Sequence, residues 1–239
     1  MITHVIIDIE GTTSSTWFVQ QVLYPYSRER FAEYLAQHRT RPDVDAMVQM
    51  VQDLAEEPTA DDARVVWWLE HWLDGDQKMT PLKAFQGWIW EEGFAKSELT
   101  SQFFDDAIPT MRRWKESGLD LSIFSSGSVK AQRAWFGNTP EGSILSLFSN
   151  HFDTENIGHK RIPDSYRKMA AELGVPASQI VFLSDLVAEL DAAREAGWSS
   201  VGVRRDGDEY WDAGVGNHLA ITSFEQLDLS GDEPRLVTA

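Results

Sequence analysis

The order of apolar and polar positions divides the chain into three parts. Residues 5–7 form a β-branched apolar run, which is typical of a buried strand. From about residue 16 to residue 104, apolar residues recur at three-to-four spacing, as in residues 44–54, which predicts helices and no strand. From about residue 105 onward, strand-like and helix-like patterns alternate. The pattern therefore indicates a helical segment inserted into an α/β chain.

The alternating part predicts the layers of the α/β region. Its predicted strands span residues 119–124, 180–183 and 200–203, and its predicted helices span residues 107–117, 128–136, 164–173 and 189–196. Repeated strand–helix units imply a parallel sheet. We therefore expect an α/β core formed by residues 1–15 and 105–230, a helical insert, or cap, at 16–104 and a loose acidic tail at 231–239.

Composition narrows the range of partners. The chain has 239 residues, no cysteine and a formal net charge of -17, so neither nucleic acid nor an anionic membrane is expected to bind through a broad basic surface. No apolar run approaches the roughly 18 residues of a membrane-spanning helix, and the N-terminal residues lack the pattern of a signal peptide. A cytoplasmic location is the default expectation.

Two acidic residues follow the first predicted strand. Asp8 and Glu10 are separated by one residue, and Gly11 permits the chain to turn sharply after them. Open α/β sheets bind their ligands at this carboxyl edge. Two carboxylates there could share a divalent cation, or divide the roles of nucleophile and acid. An Asp at a strand end is also a common turn former, and the motif by itself leaves that alternative open.

Three later sites carry polar groups at comparable positions. Ser125 and Ser126 stand between a predicted strand and helix, where hydroxyls and free N–H groups bind phosphate, although an ordinary helix cap has the same pattern. Lys160 lies in a loop and could neutralise phosphate, although a solvated surface lysine is the commoner case. Asp185 follows another apolar strand and could complete an oxygen-ligand site for Mg²⁺. Glu189, four residues later, also suits a helix N-terminus.

The order of these sites resembles the haloacid dehalogenase-like phosphatases. The resemblance covers residues 5–12 and about 105–205, with residues 13–104 in the position of that superfamily's cap. It implies a doubly wound parallel sheet, a Rossmann-like core, with an inserted all-helical cap domain. The superfamily usually has Asp as its second acid, whereas this chain has Glu10.

Glu10 makes the resemblance more specific, because the enolase-phosphatases of methionine salvage share it. Further segments similar to that family lie in both predicted domains, at residues 8–13, 18–19, 23–26, 86–94, 125–132, 152–154, 165–166 and 182–185. Residues 14–17 depart from the expected pattern but spare the catalytic positions. The resemblance implies a magnesium-dependent monomer that enolises 2,3-diketo-5-methylthiopentyl-1-phosphate and then hydrolyses its phosphate, giving the acireductone 1,2-dihydroxy-3-keto-5-methylthiopentene.

The resemblance also implies a role for each candidate residue. Asp8 would be the nucleophile, and Glu10 would protonate the leaving oxygen and then activate water. Asp8 and Asp185 would bind Mg²⁺ through their side chains, Glu10 would bind it through its backbone carbonyl, and Glu189 would support a bound water or Lys160. The implied phosphate contacts are Ser125, Ser126 and Lys160.

Two other functions and two assignments stay open. One assignment is the base that removes the proton during enolisation, for which Glu10 is a candidate and a cap residue could also serve. Another small-molecule phosphatase of the same superfamily would carry the same core residues. A phospho-acceptor signalling module also gathers Asp, Ser or Thr and Lys around Mg²⁺, but such modules are about half this length and their acceptor follows a middle strand. For the methylthio tail, the candidates are Phe18, Trp88 and Trp90, although tryptophans of a small helical domain more often form its core.

Overall fold

The computed structural model describes residues 1–237 and forms two compact units. The core unit contains Met1–Trp17 and the chain from Thr100 onward, and the helical unit is Phe18–Leu99. The sequence placed these boundaries after residues 15 and 104. Part of the predicted tail, Thr238 and Ala239, lies outside the described residues. Among residues 1–237, none of the helices has the length and apolar character that a membrane-spanning helix requires.

The core unit is built on a six-stranded parallel sheet in the order β3-β2-β1-β4-β5-β6. Its strands are β1 His4–Ile7, β2 Asp120–Phe124, β3 Phe148–Phe152, β4 Ile180–Ser184, β5 Ser199–Val203 and β6 Leu219–Ile221. The helices of this unit are α7 Ala107–Glu116, α8 Val129–Gly137, α9 Pro163–Leu173 and α10 Val187–Glu195. The predicted doubly wound α/β fold is therefore confirmed.

The register of the sheet fixes where its ligand-binding edge lies. Ile7 of β1 is paired with Ile123 of β2 on one side and with Leu183 of β4 on the other. The chain leaves β1 toward β2 and β3 and later returns to add β4, so the strand order switches direction beside β1. Such a switch point is where open α/β sheets bind ligands. Residues that follow β1, β2 and β4 therefore come out together at this edge.

Aromatic side chains fill the core beneath the sheet edge. Tyr166 of α9 is fully buried, and its ring centroid lies 5.6 Å from Phe124, 5.4 Å from Phe182 and 5.2 Å from Trp198. These contacts are near-perpendicular, an arrangement that aromatic pairs favour. The helix α9 is thereby fixed against β2 and β4.

Two strands of the core sheet that the sequence pattern did not predict are its edge strands. β3 and β6 are the edges of the sheet, and each pairs on one side only. β3 carries Ser, Asn and His between its two Phe residues, because an edge strand needs less apolar surface than a central one. Two further strands, β7 Leu227–Asp228 and β8 Arg235–Leu236, pair with each other. Part of the predicted loose tail is therefore a strand.

The helical unit contains no strand among its residues, as its apolar spacing predicts. Its helices are α1 Thr16–Phe18, which begins in the core unit, α2 Tyr24–Arg28, α3 Phe31–His38, α4 Pro42–Leu54, α5 Asp62–Asp74 and α6 Thr80–Ala95, with a π-helical turn at Val19–Leu23. Phe31, Val44, Val65, Leu69 and Phe85 are fully buried together in its core.

Leu69→Ala is expected to destabilise the helical unit. Leu69 on α5 has no exposed surface, so its truncation leaves a cavity that costs about 2–5 kcal/mol. Urea unfolding followed by circular dichroism measures the effect. Leu54→Ala is the matched control, because Leu54 on α4 is 49% exposed and its loss is expected to cost less than about 0.5 kcal/mol. Equal midpoints for the two variants would show that Leu69 does not support this core.

Candidate active site

Asp8 is held at the end of β1 by its neighbours in the sheet and the loop. Its backbone N–H donates to the carbonyl of Leu183 at 3.0 Å, and its Oδ1 accepts from the Ile9 N–H at 2.8 Å. Gly11 then turns the chain with a φ of 65°, in the left-handed region that favours glycine. The local sequence therefore fixes the position of the Asp8 side chain.

Lys160 is buried against two carboxylates. Its Nζ lies 2.7 Å from Asp8 Oδ1 and 2.7 Å from Glu189 Oε2. The same Nζ lies 5.8 Å from the ring centroids of Phe124 and Phe182. A cation over aromatic faces and between two carboxylates is stabilised in a place where an isolated charge would not be. Lys160 is thus not the solvated surface lysine that the sequence left as an alternative.

The loop that carries Lys160 is fixed by two residues of α9. The Tyr166 hydroxyl donates to the carbonyl of Lys160 at 2.6 Å, and Ser165 Oγ donates to the carbonyl of His159 at 2.8 Å. Gly158 has a φ of 118°, and a Cβ there would press on the Ser165 hydroxyl. The Ser165-Tyr166 pair in the sequence is therefore a support for Lys160.

Ser184 is a member of this cluster that the sequence analysis did not assign. Its Oγ donates to Glu189 Oε2 at 2.9 Å and lies 3.4 Å from Asp8 Oδ2. The same Oγ accepts from the N–H of Leu186 at 3.1 Å, which turns the chain into α10. The one available signal is a polar residue at the end of the otherwise apolar strand β4.

Asp185 lies against the loop that follows Asp8. A Cβ on Gly11 would overlap the Asp185 carboxylate, so only glycine fits there. The Asp185 carbonyl accepts from Arg204 Nη1 at 2.7 Å. Arg204 is another residue that the sequence analysis missed, and nothing in its surroundings in the chain distinguishes it from a surface arginine.

Buried negative charge exceeds buried positive charge in this cluster. Asp8, Asp185 and Glu189 are 5%, 6% and 4% exposed, and Lys160 is 5% exposed. Burial raises the pKa of Asp8 to about 7, although Lys160 opposes this. Burial and then the charge of Asp8 raise the pKa of Asp185 to about 8. Burial lowers the pKa of Lys160, but Asp8 and Glu189 outweigh that effect and raise it, so the lysine stays charged.

The donor set fits a small, hard divalent cation. Within residues 1–237, His, Cys, Asp and Glu side chains form no group of three or more that could hold a metal ion by themselves. Mg²⁺ does not require such a group, because it is usually bound by one or two carboxylates, with waters and phosphate oxygens as further ligands. The Asp8 and Asp185 carboxylates supply that number, and a cation would offset their excess charge.

The remaining candidate residues lie at the same edge of the sheet. Ser125 follows β2, is buried, and its Oγ accepts from the Gly127 N–H at 3.3 Å, whereas Ser126 is exposed. Glu10, two residues beyond Asp8, is exposed, and its backbone forms an isolated β-bridge with that of Ser14. The structure thus brings Asp8, Lys160, Glu189 and Asp185 into one cluster and places Ser125, Ser126 and Glu10 on the loops around it.

The Ser125–Gly127 loop is braced from below by residues whose role the sequence did not reveal. Gln132 Nε2 donates to the carbonyls of Gly127 at 2.9 Å and Phe152 at 2.8 Å. Asp153 Oδ2 accepts from the N–H of Val129 at 2.8 Å, in the first turn of α8. The exposed Ser126 and the half-buried Gly127 are therefore presented on a braced turn at the beginning of a helix, where backbone N–H groups favour anions.

Comparison with known proteins gives one consistent family. The model of the haloacid dehalogenase-like hydrolases matches residues 2–197. Enolase-phosphatase E1 of Streptomyces avermitilis is 53% identical over 226 residues, with 95% of each chain covered. Enolase-phosphatase E1 of Frankia alni is 47% identical over 222 residues, with 93% of each chain covered.

Solved structures agree on the fold. The UTR4 protein of Saccharomyces cerevisiae has a TM-score of 0.79 and 27% identity, over 94% of this chain and 99% of that one. A phosphatase of the same superfamily from Thermococcus onnurineus has a TM-score of 0.60 at 18% identity, over 93% of this chain and 94% of that one, which supports the fold alone. Because the family model spans most of the sequence and the bacterial relatives align over nearly their whole length, the chain belongs to the haloacid dehalogenase-like hydrolases and, among them, to the enolase-phosphatase E1 family.

Proposed function

We propose that this chain enolises 2,3-diketo-5-methylthiopentyl-1-phosphate and then hydrolyses its phosphate, giving the acireductone of methionine salvage. The observation that carries the proposal is the buried contact of Lys160 with Asp8 and Glu189, in a family of enolase-phosphatases. A monomeric enzyme in the cytoplasm is part of the same proposal.

Asp8 is the proposed nucleophile. Its Oδ1 is held by Lys160 and by the Ile9 N–H, whereas Oδ2 has the longer contact with Ser184 at 3.4 Å. We assign the attack to Oδ2: a bond forms between Oδ2 and phosphorus, and the bond from phosphorus to the substrate oxygen breaks. Water then attacks phosphorus, the bond between phosphorus and Oδ2 breaks, and inorganic phosphate leaves as the carboxylate is regenerated.

Glu10 is the proposed proton carrier of both steps. Glu10 is exposed, whereas Asp8 is buried. The Glu10 carboxylate can therefore exchange protons with both the substrate and water. In the first step it gives its proton to the leaving enol oxygen, and in the second it takes one from the attacking water. Glu10 is also our candidate for the base that removes the proton during enolisation.

Asp8 and Asp185, with the backbone carbonyl of Glu10, are the proposed ligands of Mg²⁺. When bound, the ion would polarise phosphoryl and carbonyl oxygens and offset the negative charge of the cluster. Lys160 adds a fixed positive charge, and Ser125 and Ser126 are the proposed hydrogen-bond donors to the phosphate. Glu189 holds Lys160 in place through its 2.7 Å contact.

The direct test of this function is an assay with the diketo-phosphate in the presence of Mg²⁺. We expect an ultraviolet absorbance of the enol to precede the appearance of inorganic phosphate, and a chelator to abolish both signals. Because superfamily members with other substrates share the core residues, phosphate release without prior enolisation would assign the chain to another phosphatase activity. A rate unaffected by the chelator would contradict the proposed cofactor.

The stability of the metal-free protein is expected to fall as pH rises. The pKa values of Asp8 and Asp185 are about 7 and 8 in the folded protein, against an ordinary 3.8, so the folded state binds more protons than the unfolded state between these limits. The free energy of unfolding therefore decreases from about pH 4 to pH 8. Calorimetry in chelator should give a melting temperature roughly 5 °C lower at pH 8 than at pH 5.

Two comparisons isolate this effect from the other titrating groups. Mg²⁺ should raise the melting temperature more at pH 8 than at pH 5, because it stabilises the ionised carboxylates. Asp185→Asn removes one of the two coupled acids and should flatten the pH dependence. If the melting temperatures of the wild type and Asp185→Asn fall by the same amount between pH 5 and pH 8, the pH dependence does not arise from Asp8 and Asp185.

A further inference from the structure

Residues 206–214, which we call the aromatic loop, follow β5 at the carboxyl edge of the sheet. All six strands of the core sheet are parallel, so this loop leaves the sheet at the same edge as Asp8 and Asp185. The loop contains Tyr210 and Trp211. These two aromatic residues therefore lie on a segment that begins at the ligand-binding edge of the sheet.

A single buried guanidinium joins the end of the aromatic loop to Asp185. Arg204 Nε donates to the carbonyl of Ala213 at 2.6 Å, and Nη2 donates to the carbonyl of Gly214 at 2.7 Å. Nη1 donates to the carbonyl of Asp185 at 2.7 Å. Hydrogen bonds from a charged donor are stronger than neutral ones. The loop is therefore fixed to the residue that we propose as a metal ligand.

The beginning of the aromatic loop is fixed to the segment that follows the nucleophile. The Asp208 carboxylate accepts from the N–H of Thr16 at 3.0 Å, and the Trp17 indole N–H donates to the carbonyl of Gly207 at 2.8 Å. Arg205 Nε donates to the carbonyl of Thr12 at 2.9 Å. Both ends of the loop are thus held, and Trp17 is brought beside it.

Two large aromatic side chains are exposed on the aromatic loop, and a third is exposed on the segment that is hydrogen-bonded to it. Trp17, Tyr210 and Trp211 are 36%, 36% and 37% exposed, and we call them the aromatic rim. Grouped apolar side chains on a protein surface commonly mark a binding site.

The tryptophans that the sequence offered for the methylthio tail are engaged within the helical unit. The Trp88 ring stacks on Tyr34 at 6.2 Å, and the Trp90 indole N–H donates to the carbonyl of Leu23 at 2.8 Å. These contacts account for Trp88 and Trp90 as structural residues of α6. The third candidate, Phe18, is next to Trp17 in the chain, which directs attention to the aromatic side chains around Trp17.

We propose that the aromatic rim binds the methylthioethyl tail of the substrate and so determines specificity for it. This inference rests on the proposed function. The tail is an apolar chain ending in a thioether, and a sulfur atom near an aromatic ring is a favourable contact. The Asp8 cluster would then bind the polar end of the substrate, and the rim would bind its apolar end.

The test compares two substrates on variants of the rim. Trp211→Ala and Tyr210→Ala are assayed with the diketo-phosphate and with an analogue in which a methyl group replaces the methylthioethyl tail. We expect each variant to lose about tenfold in kcat/KM on the full substrate, equivalent to about 1.4 kcal/mol, and less than twofold on the analogue. Trp67→Ala is the matched control, because Trp67 on α5 is 43% exposed and lies outside the rim.

Each alternative outcome has a distinct meaning. An equal loss on both substrates would show that the loop only positions the catalytic residues, and unchanged kinetics would show that the rim does not touch the substrate; either result overturns the inference. If the wild-type protein itself fails to enolise and dephosphorylate the diketo-phosphate, the proposed function is wrong, and the tail assignment falls with it. If the wild-type protein is active but the rim variants lose kcat/KM equally on both substrates, the proposed function holds and only the tail assignment is wrong.

Discussion

The contact of Lys160 with Asp8 and Glu189 is the interaction on which the rest of the site depends. A lysine so completely buried requires compensating charge, and two carboxylates at 2.7 Å provide it. Each partner comes from a different part of the chain: the loop after β1, the loop before α9, and α10. The contact can therefore form only when the loop after β1, the loop before α9 and α10 have all reached their folded positions.

The surrounding structure is arranged to hold that contact. Tyr166 fixes the backbone of Lys160 from within the aromatic core, and Ser184 joins Glu189 to Asp8. Gly11 leaves space for the Asp185 carboxylate. The result is a cluster with more negative than positive charge, which raises the pKa of Asp8 and Asp185. A cluster of this kind is suited to bind a cation and, with it, the phosphate of a substrate.

The sequence predicted the architecture and the principal polar residues, because central strands are apolar and their ends are marked by acids and serines. The fold and the family are confirmed, while the catalytic roles stay predictions. Lys160 could be named from the resemblance, but its burial depends on Phe124 and Phe182, which are distant in sequence. Ser184 and Arg204 act through contacts that only the folded chain creates. The edge strands β3 and β6 were missed because pairing on one side leaves little apolar pattern.

In the proposed mechanism, Asp8 carries the phosphoryl group during turnover. The most direct measurement is acid quenching of the enzyme during reaction with the diketo-phosphate and Mg²⁺, followed by mass spectrometry of its peptides. We predict one added phosphoryl group on Asp8 in the wild-type protein, and none in Asp8→Asn, which should fold but release no phosphate. A phosphoryl group on another residue, or continued phosphate release by Asp8→Asn, would contradict the account.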